Sequence, residues 1–222
     1  MTKESYFTPD NIHEVAEDLL QCAASLRRHR ASLKMPRHSA LLVLDMQEYF
    51  LDPASHAFVP SGHSIIPGIQ KLITAYSQSD KPVFFTQHIN THQDAGMMSS
   101  WWSELIVETD PFCELTDRLI MTNKSVIKKC QYDAFFNTDL KEILVSKYIT
   151  HVVICGVMTH LCCETTARSA FMHGFDVWFA VDGTATYNKD FQRATLLNLA
   201  HGFATPVLVD EILTALHEDE KS

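Results

Sequence analysis

The chain predicts an α/β protein, a three-layer α/β/α sandwich around a six-stranded parallel sheet. Three observations lead there. Short apolar runs recur from residue 40 onward, rich in Val, Ile, Leu and Phe. They lack polar alternation, as strands buried on both faces do. Segments with helical spacing fall between them, and strand alternating with helix means βαβ units. Right-handed crossovers then put helices on both faces of the sheet.

In chain order, residues 9–33 read as an amphipathic helix, with Ile12, Val15, Leu19, Leu20, Ala23 and Leu26 at helical spacing. It ends in "RRHR" (27–30), which suits a helix C-terminus through the macrodipole and reads as a solvated end rather than a nucleic-acid patch. "MPRHS" (35–39) breaks the pattern, so residues 1–36 are a helical extension and 37–222 the main domain. The strands are "ALLVLD" (40–45), "PVFFTQ" (82–87), "SVIKK" (125–129), "HVVICG" (151–156), "DVWFAVD" (176–182) and "PVLVDE" (206–211). Helices are expected at 64–79, 139–147, 160–174 and 188–201. Residues 88–123, with "GMMSSWW" (96–102), exceed a normal βα connection. A long insertion after a strand's carboxyl end is a candidate pocket wall.

The bulk numbers exclude several classes of function. A chain of 222 residues with 46% hydrophobic and 20% charged residues has an ordinary globular composition. Its net charge of −9 argues against nucleic-acid or anionic-membrane partners. No apolar run approaches the ~18–20 residues of a membrane span. The polar, acidic "MTKESYFTPDNIHEVAEDLL" is no secretory signal, so a cytoplasmic location is expected. The six cysteines show no C-x-x-C spacing, and most read as buried, inert thiols.

In open parallel sheets, ligands bind outside the carboxyl ends of the strands. There the first strand ends in Asp45, the second in Thr86, Gln87 and His88, and the third in Lys128 and Lys129. The fourth ends in Gly156, before a helix opening with Thr159, His160, Leu161 and Cys162. Asp182, after the fifth, reads as structural. An acid, a lysine and a cysteine thus share one rim. A cysteine attacks as the thiolate, a neighbouring carboxylate can take its proton, and an ammonium stabilises both anions. With Thr159 as N-cap, Cys162 falls in the first helical turn, at the positive helix end. One helical step turns about 100°, so Cys163 points aside into packing if Cys162 faces the crevice.

"LLVLDMQEYF", "VIKKCQYDAFFNTDL" and "GVMTHLCCETTARSAF" together resemble the isochorismatase-like cysteine hydrolase superfamily, over about residues 36 to 211. This group includes isochorismatases, nicotinamidases and N-carbamoylsarcosine amidohydrolases. The resemblance implies sheet order 3-2-1-4-5-6. It makes Asp45 the catalytic acid/base, Lys129 rather than Lys128 the lysine, and Cys162 the nucleophile. It also implies a cis peptide between Val157 and Met158, aiming the N–H groups of Met158 and Cys162 at an oxyanion. In that order strand 3 lies two spacings, roughly 10 Å, from strand 1, so the loop after Lys129 is expected to curl back.

Departures from the family pattern narrow the expected chemistry. Enzymes that split the vinyl ether of isochorismate typically carry Gly where this chain has Cys162. The cysteine favours hydrolysis of a small amide or ureide through a thioester. The alternatives are a vinyl-ether hydrolase using Asp45 as an acid, and a non-enzymatic scaffold with a vestigial site. Nicotinamidases usually bind a metal through an Asp-x-His pair, but Thr86 replaces the acid here. His88 and His92 remain as donors, and neither a metal nor another cofactor is expected. Phe50, Trp101, Trp102, Tyr132 and Phe135 read equally as pocket wall or core. Gln87 and His88 are candidate substrate contacts, while Asp52 and His56 read as loop residues. Asp133 replaces the Ser common in the family's Y-S-A-F motif. The resemblance also implies a homo-oligomer, a dimer or larger, for which the N-terminal helix offers an apolar face.

Overall fold

The computed structural model describes residues 2–27, 34–120 and 125–219. Six strands form one all-parallel sheet in the order β3-β2-β1-β4-β5-β6. They are β1 (Ser39–Leu44), β2 (Val83–His88), β3 (Ser125–Lys129), β4 (His151–Val157), β5 (Asp176–Ala185) and β6 (Thr205–Val207). The helices are α1 (Ile12–Cys22), α2 (Glu48–Leu51), α3 (Gly62–Gln78), α4 (Met98–Trp101), α5 (Leu140–Ser146), α6 (Glu164–Met172), α7 (Lys189–Gly202) and α8 (Val209–Asp219). α3 packs beside α8 and α6 beside α7. The chain moves leftward from β1 to β3 and rightward from β4 to β6, so right-handed crossovers put α3 opposite α6 and α7. No described helix is long and apolar enough to cross a membrane.

The apolar runs behave as unalternated strands should. Every residue of central β1 and β4 is buried, whereas edge strand β3 is partly exposed. Two boundaries differ from the sequence expectation. The last run splits, because β6 ends at Val207 and α8 starts at Val209, whose N–H is accepted by Asp182 Oδ1 at 2.8 Å. The helix expected over 9–33 is regular only from Ile12 to Cys22, and a turn follows. Beyond Arg27, "RRHR" lies outside the described residues. Arg27 itself forms a two-pronged bond to Glu211 at 2.8 and 2.9 Å.

The N-terminal region is not a free appendage. Tyr6, Phe7, Ala16 and Leu19 join the same apolar core as β1 and β4. α1 lies against β5 and α7, so its apolar face is taken up by its own chain rather than left for a partner. Phe7 is fully buried, and its N–H donates to Ser61 Oγ at 3.0 Å.

Burial at Phe7 sets an expectation. Phe7→Ala should cost about 3–5 kcal/mol of stability, as full truncation of a buried aromatic does. Urea unfolding would measure it, and a loss below about 1 kcal/mol would mean that this segment does not dock.

Candidate active site

Asp45 follows β1 with φ at +49°, a left-handed conformation that Asp tolerates better than most residues. The turn brings its carboxylate beneath the sheet's carboxyl edge, where it is fully buried. The neighbouring chain must come close for this. Gly156 in β4 has φ of +114°, and a Cβ there would meet the Leu44 backbone at 2.1 Å. Only glycine fits.

Lys129, the last residue of β3, sits in register with His88 of β2. Its ammonium lies 2.8 Å from Asp45 Oδ2, 2.9 Å from the Gln131 carbonyl and 3.4 Å from Cys162 Sγ. The side chain itself spans β2, so the curled-back loop expected from the sheet order is unnecessary. Lys128 points the other way and pairs with Glu108 on the surface at 2.8 Å.

Cys162 does not sit in the first turn of an α-helix. Thr159–Cys163 form one turn of π-helix before α6, and Thr159 does not cap it; its hydroxyl is buried with no partner among the described residues. The wider turn still separates the two thiols as expected. Cys162 faces the cavity, while Cys163 is fully enclosed in the apolar core. The peptide between Val157 and Met158 is cis.

The electrostatics follow from burial. Desolvation alone would favour neutral Lys129, but Asp45 and then Cys162 offset it, so the ammonium's pKa is raised. Desolvation would likewise raise Asp45, yet Lys129 and then His88 hold it below its ordinary value, ionised. The Cys162 thiol is pushed up to about 12 by burial and then by Asp45, with Lys129 opposing. At rest the thiol therefore keeps its proton, with Lys129 favouring the thiolate against burial and Asp45.

The sequence marks Thr86 as a strand end and a replaced acid but gives it no role. Its hydroxyl donates to Asp45 Oδ1 at 2.6 Å and accepts from the Asp45 N–H at 3.1 Å. The signal was its place at the end of β2, beside Asp45 in a parallel pair. Gln47 braces the same corner, donating to the His88 and Cys113 carbonyls and accepting from the His88 N–H. Asp133 Oδ1 accepts from the Phe135 N–H at 2.9 Å, so the residue in place of Ser caps its own turn.

A cavity of about 260 Å³ opens onto Cys162. Of the expected lining residues, Phe50, His88, Trp102 and Tyr132 are there. Trp102 Nε1–H donates to the Tyr132 hydroxyl at 2.7 Å. Three others are elsewhere. Gln87 is turned away and donates to the Cys113 carbonyl at 3.0 Å. Trp101 is 74% exposed on α4, and Phe135 is core, stacked on Phe175 at 5.9 Å. The insertion supplies Met98, Ser103, Glu104, Leu105 and Ile106 to the wall. Tyr49, His56 and Tyr187 complete the rim; His56 had read as a loop residue.

The N-terminal segment braces this rim from outside. The Lys3 ammonium donates to the His56 carbonyl and lies 4.5 Å from the Tyr187 ring centre. The Glu4 N–H donates to the Tyr187 carbonyl at 2.7 Å. The Tyr6 hydroxyl accepts from the Thr186 N–H at 3.0 Å, and the Thr186 hydroxyl meets His160 of the π turn.

Donor atoms of Asp45, His88 and Cys162 lie within 4.8 Å of one another, close enough to suit a cation. The residues do not fit one. The Lys129 ammonium already contacts all three side chains. Both His88 ring nitrogens are engaged, one by Lys129 at 3.4 Å and the other by Asn90 at 2.8 Å. Burial, then Lys129, lowers the His88 pKa to about 4, which keeps the ring neutral. His92 is exposed.

Comparison with known proteins gives a consistent picture. Residues 39–211 match the model of the isochorismatase domain. The chain is 35% identical to nicotinamidase 3 of Arabidopsis thaliana over 201 residues, covering 87% of this chain and 98% of the relative. Among solved structures it is similar to a cysteine hydrolase from Pseudomonas syringae pv. phaseolicola 1448A. That match has a TM-score of 0.78, 26% identity, and coverage of 82% of this chain and 93% of the other. It is also similar to the zinc complex of pyrazinamidase from Pyrococcus horikoshii. There the TM-score is 0.69 and the identity 25%, over 77% of this chain and 99% of the other.

The electrostatics make an unusual demand of one variant. Asp45 raises the Cys162 pKa, so Asp45→Asn should speed iodoacetamide alkylation of Cys162 at neutral pH. Peptide mass spectrometry over time would read this. An unchanged or slower rate would mean that Asp45 does not hold the proton on sulfur.

Proposed function

The chain belongs to the isochorismatase family of hydrolases, and on that premise we propose that it cleaves the C–N bond of a small amide or ureide through a Cys162 thioester. One observation carries the reading. At the cavity floor, the Cys162 sulfur lies 3.4 Å from an ammonium that is itself 2.8 Å from the Asp45 carboxylate.

The proposed chemistry starts from neutral thiol and ionised acid. As sulfur attacks the carbonyl carbon, its proton passes to Asp45, and Lys129 stabilises the thiolate as it forms. The backbone N–H groups of Met158 and Cys162 receive the oxyanion. The tetrahedral adduct collapses by breaking the C–N bond, and Asp45 returns the proton to the leaving nitrogen. Water, deprotonated by Asp45, then attacks the thioester. The acid departs, and sulfur regains its proton. Lys129 stays charged throughout, so Asp45 alternates between base and acid beside a fixed cation.

The nicotinamidase likeness supports an amide substrate. The vinyl-ether alternative needs Asp45 as a resting proton donor, which its lowered pKa disfavours. A vestigial site would have no reason to keep a buried acid, lysine and thiol in contact at the floor of an open cavity. Within this reading the protein is a cytoplasmic homo-oligomer that binds no nucleic acid or membrane.

Cys162→Ala should lower kcat on a responsive amide by at least about a thousandfold, while Cys163→Ala keeps it within a few-fold. Acid-quenched intact mass should show an acyl adduct on the wild-type chain and none on Cys162→Ala. Turnover that survives in Cys162→Gly would instead favour vinyl-ether chemistry.

A further inference from the structure

The cavity carries a charge pattern that the catalytic trio does not explain. Among the described residues its lining contains no Lys or Arg, and Lys129 lies buried behind the thiol. The one acid among those lining residues is Glu104, contributed by the insertion after β2. Its Oε2 lies 3.1 Å from His56 Nδ1, and His56 Nε2 lies 3.4 Å from the Tyr49 hydroxyl. Lys3 donates to the His56 carbonyl and lies over the Tyr187 ring from outside, and it is not among the lining residues. Glu104 Oε1 has no protein partner among the described residues, so it remains available to a ligand.

We infer that Glu104, held by His56, whose other ring nitrogen meets Tyr49, is a charge filter that admits neutral or cationic carboxamides and rejects substrates bearing a carboxylate. The inference rests on the proposed amide hydrolysis for its reaction, but not for its binding preference. The aromatic wall of Phe50, Trp102 and Tyr132 takes the flat body of such a substrate. The carboxamide meets Cys162, and the distal substituent meets the Glu104 end. A substrate carboxylate there would face a like charge with no Lys or Arg among the described lining residues to offset it. Glu104 is well exposed, so solvent screening holds the discrimination to about tenfold.

Three matched probes test this: benzamide, meta-aminomethyl-benzamide and meta-carboxy-benzamide. Binding is measured by calorimetry on Cys162→Ala, and kcat/KM on the wild-type protein. The cation should bind best and the anion worst, separated by up to about tenfold. Glu104→Gln should compress that spread, and Glu104→Lys should invert the ranking. Failure of the cation to outbind the anion, including no binding of either, overturns the filter. So does a ranking that Glu104→Lys leaves unchanged. If the ranking holds but none of the three is hydrolysed, the amide-hydrolysis reading fails while the filter stands.

Discussion

Everything at the working edge of this protein is arranged around one buried ion pair, Asp45 with Lys129. Both side chains are fully removed from solvent. Removing two charges from water costs several kcal/mol per ion, and only close geometry with further hydrogen bonds offsets it. The surroundings supply those bonds. Thr86 donates to the carboxylate, and the Gln131 carbonyl accepts from the ammonium. Gly156 allows the backbone approach that seats Asp45, and the β2–β3 register sets Lys129 level with His88, two strands from Asp45, so that its side chain reaches across β2. A lone acid or lysine in this position would be an uncompensated charge, so each is retained by the other.

The same pair explains why two adjacent thiols differ. Cys162 touches the ammonium at 3.4 Å and opens onto the cavity. Cys163 is enclosed in apolar packing, which pushes its pKa well above the ordinary thiol value. Even Cys162 rests as a thiol, because burial and then the Asp45 carboxylate disfavour negative charge on sulfur.

Much of this was legible in the chain. Unalternated apolar runs located the sheet, and their carboxyl ends located Asp45, Lys129 and Cys162. The side-chain directions were harder. In strands buried on both faces, polarity does not mark which face looks where, and a shift of one residue reverses the answer. Gln87 illustrates this: it neighbours His88, which lines the cavity, but itself faces the Cys113 carbonyl. Trp101 and Trp102 part company for a similar reason at the end of a four-residue helix. The π turn at Thr159–Cys163 left no compositional trace. The helical period of α1 was visible, but its docking on β5 and α7 belongs to tertiary packing.

The brace formed by Lys3, Glu4 and Tyr6 lies outside residues 39–211, which carry the family likeness. It nonetheless grips His56 and Tyr187, which line the cavity. The family likeness and the shape of the cavity rim therefore have different footprints along this chain. A change at Lys3, Glu4 or Tyr6 would loosen the rim while leaving Asp45, Lys129 and Cys162 in contact.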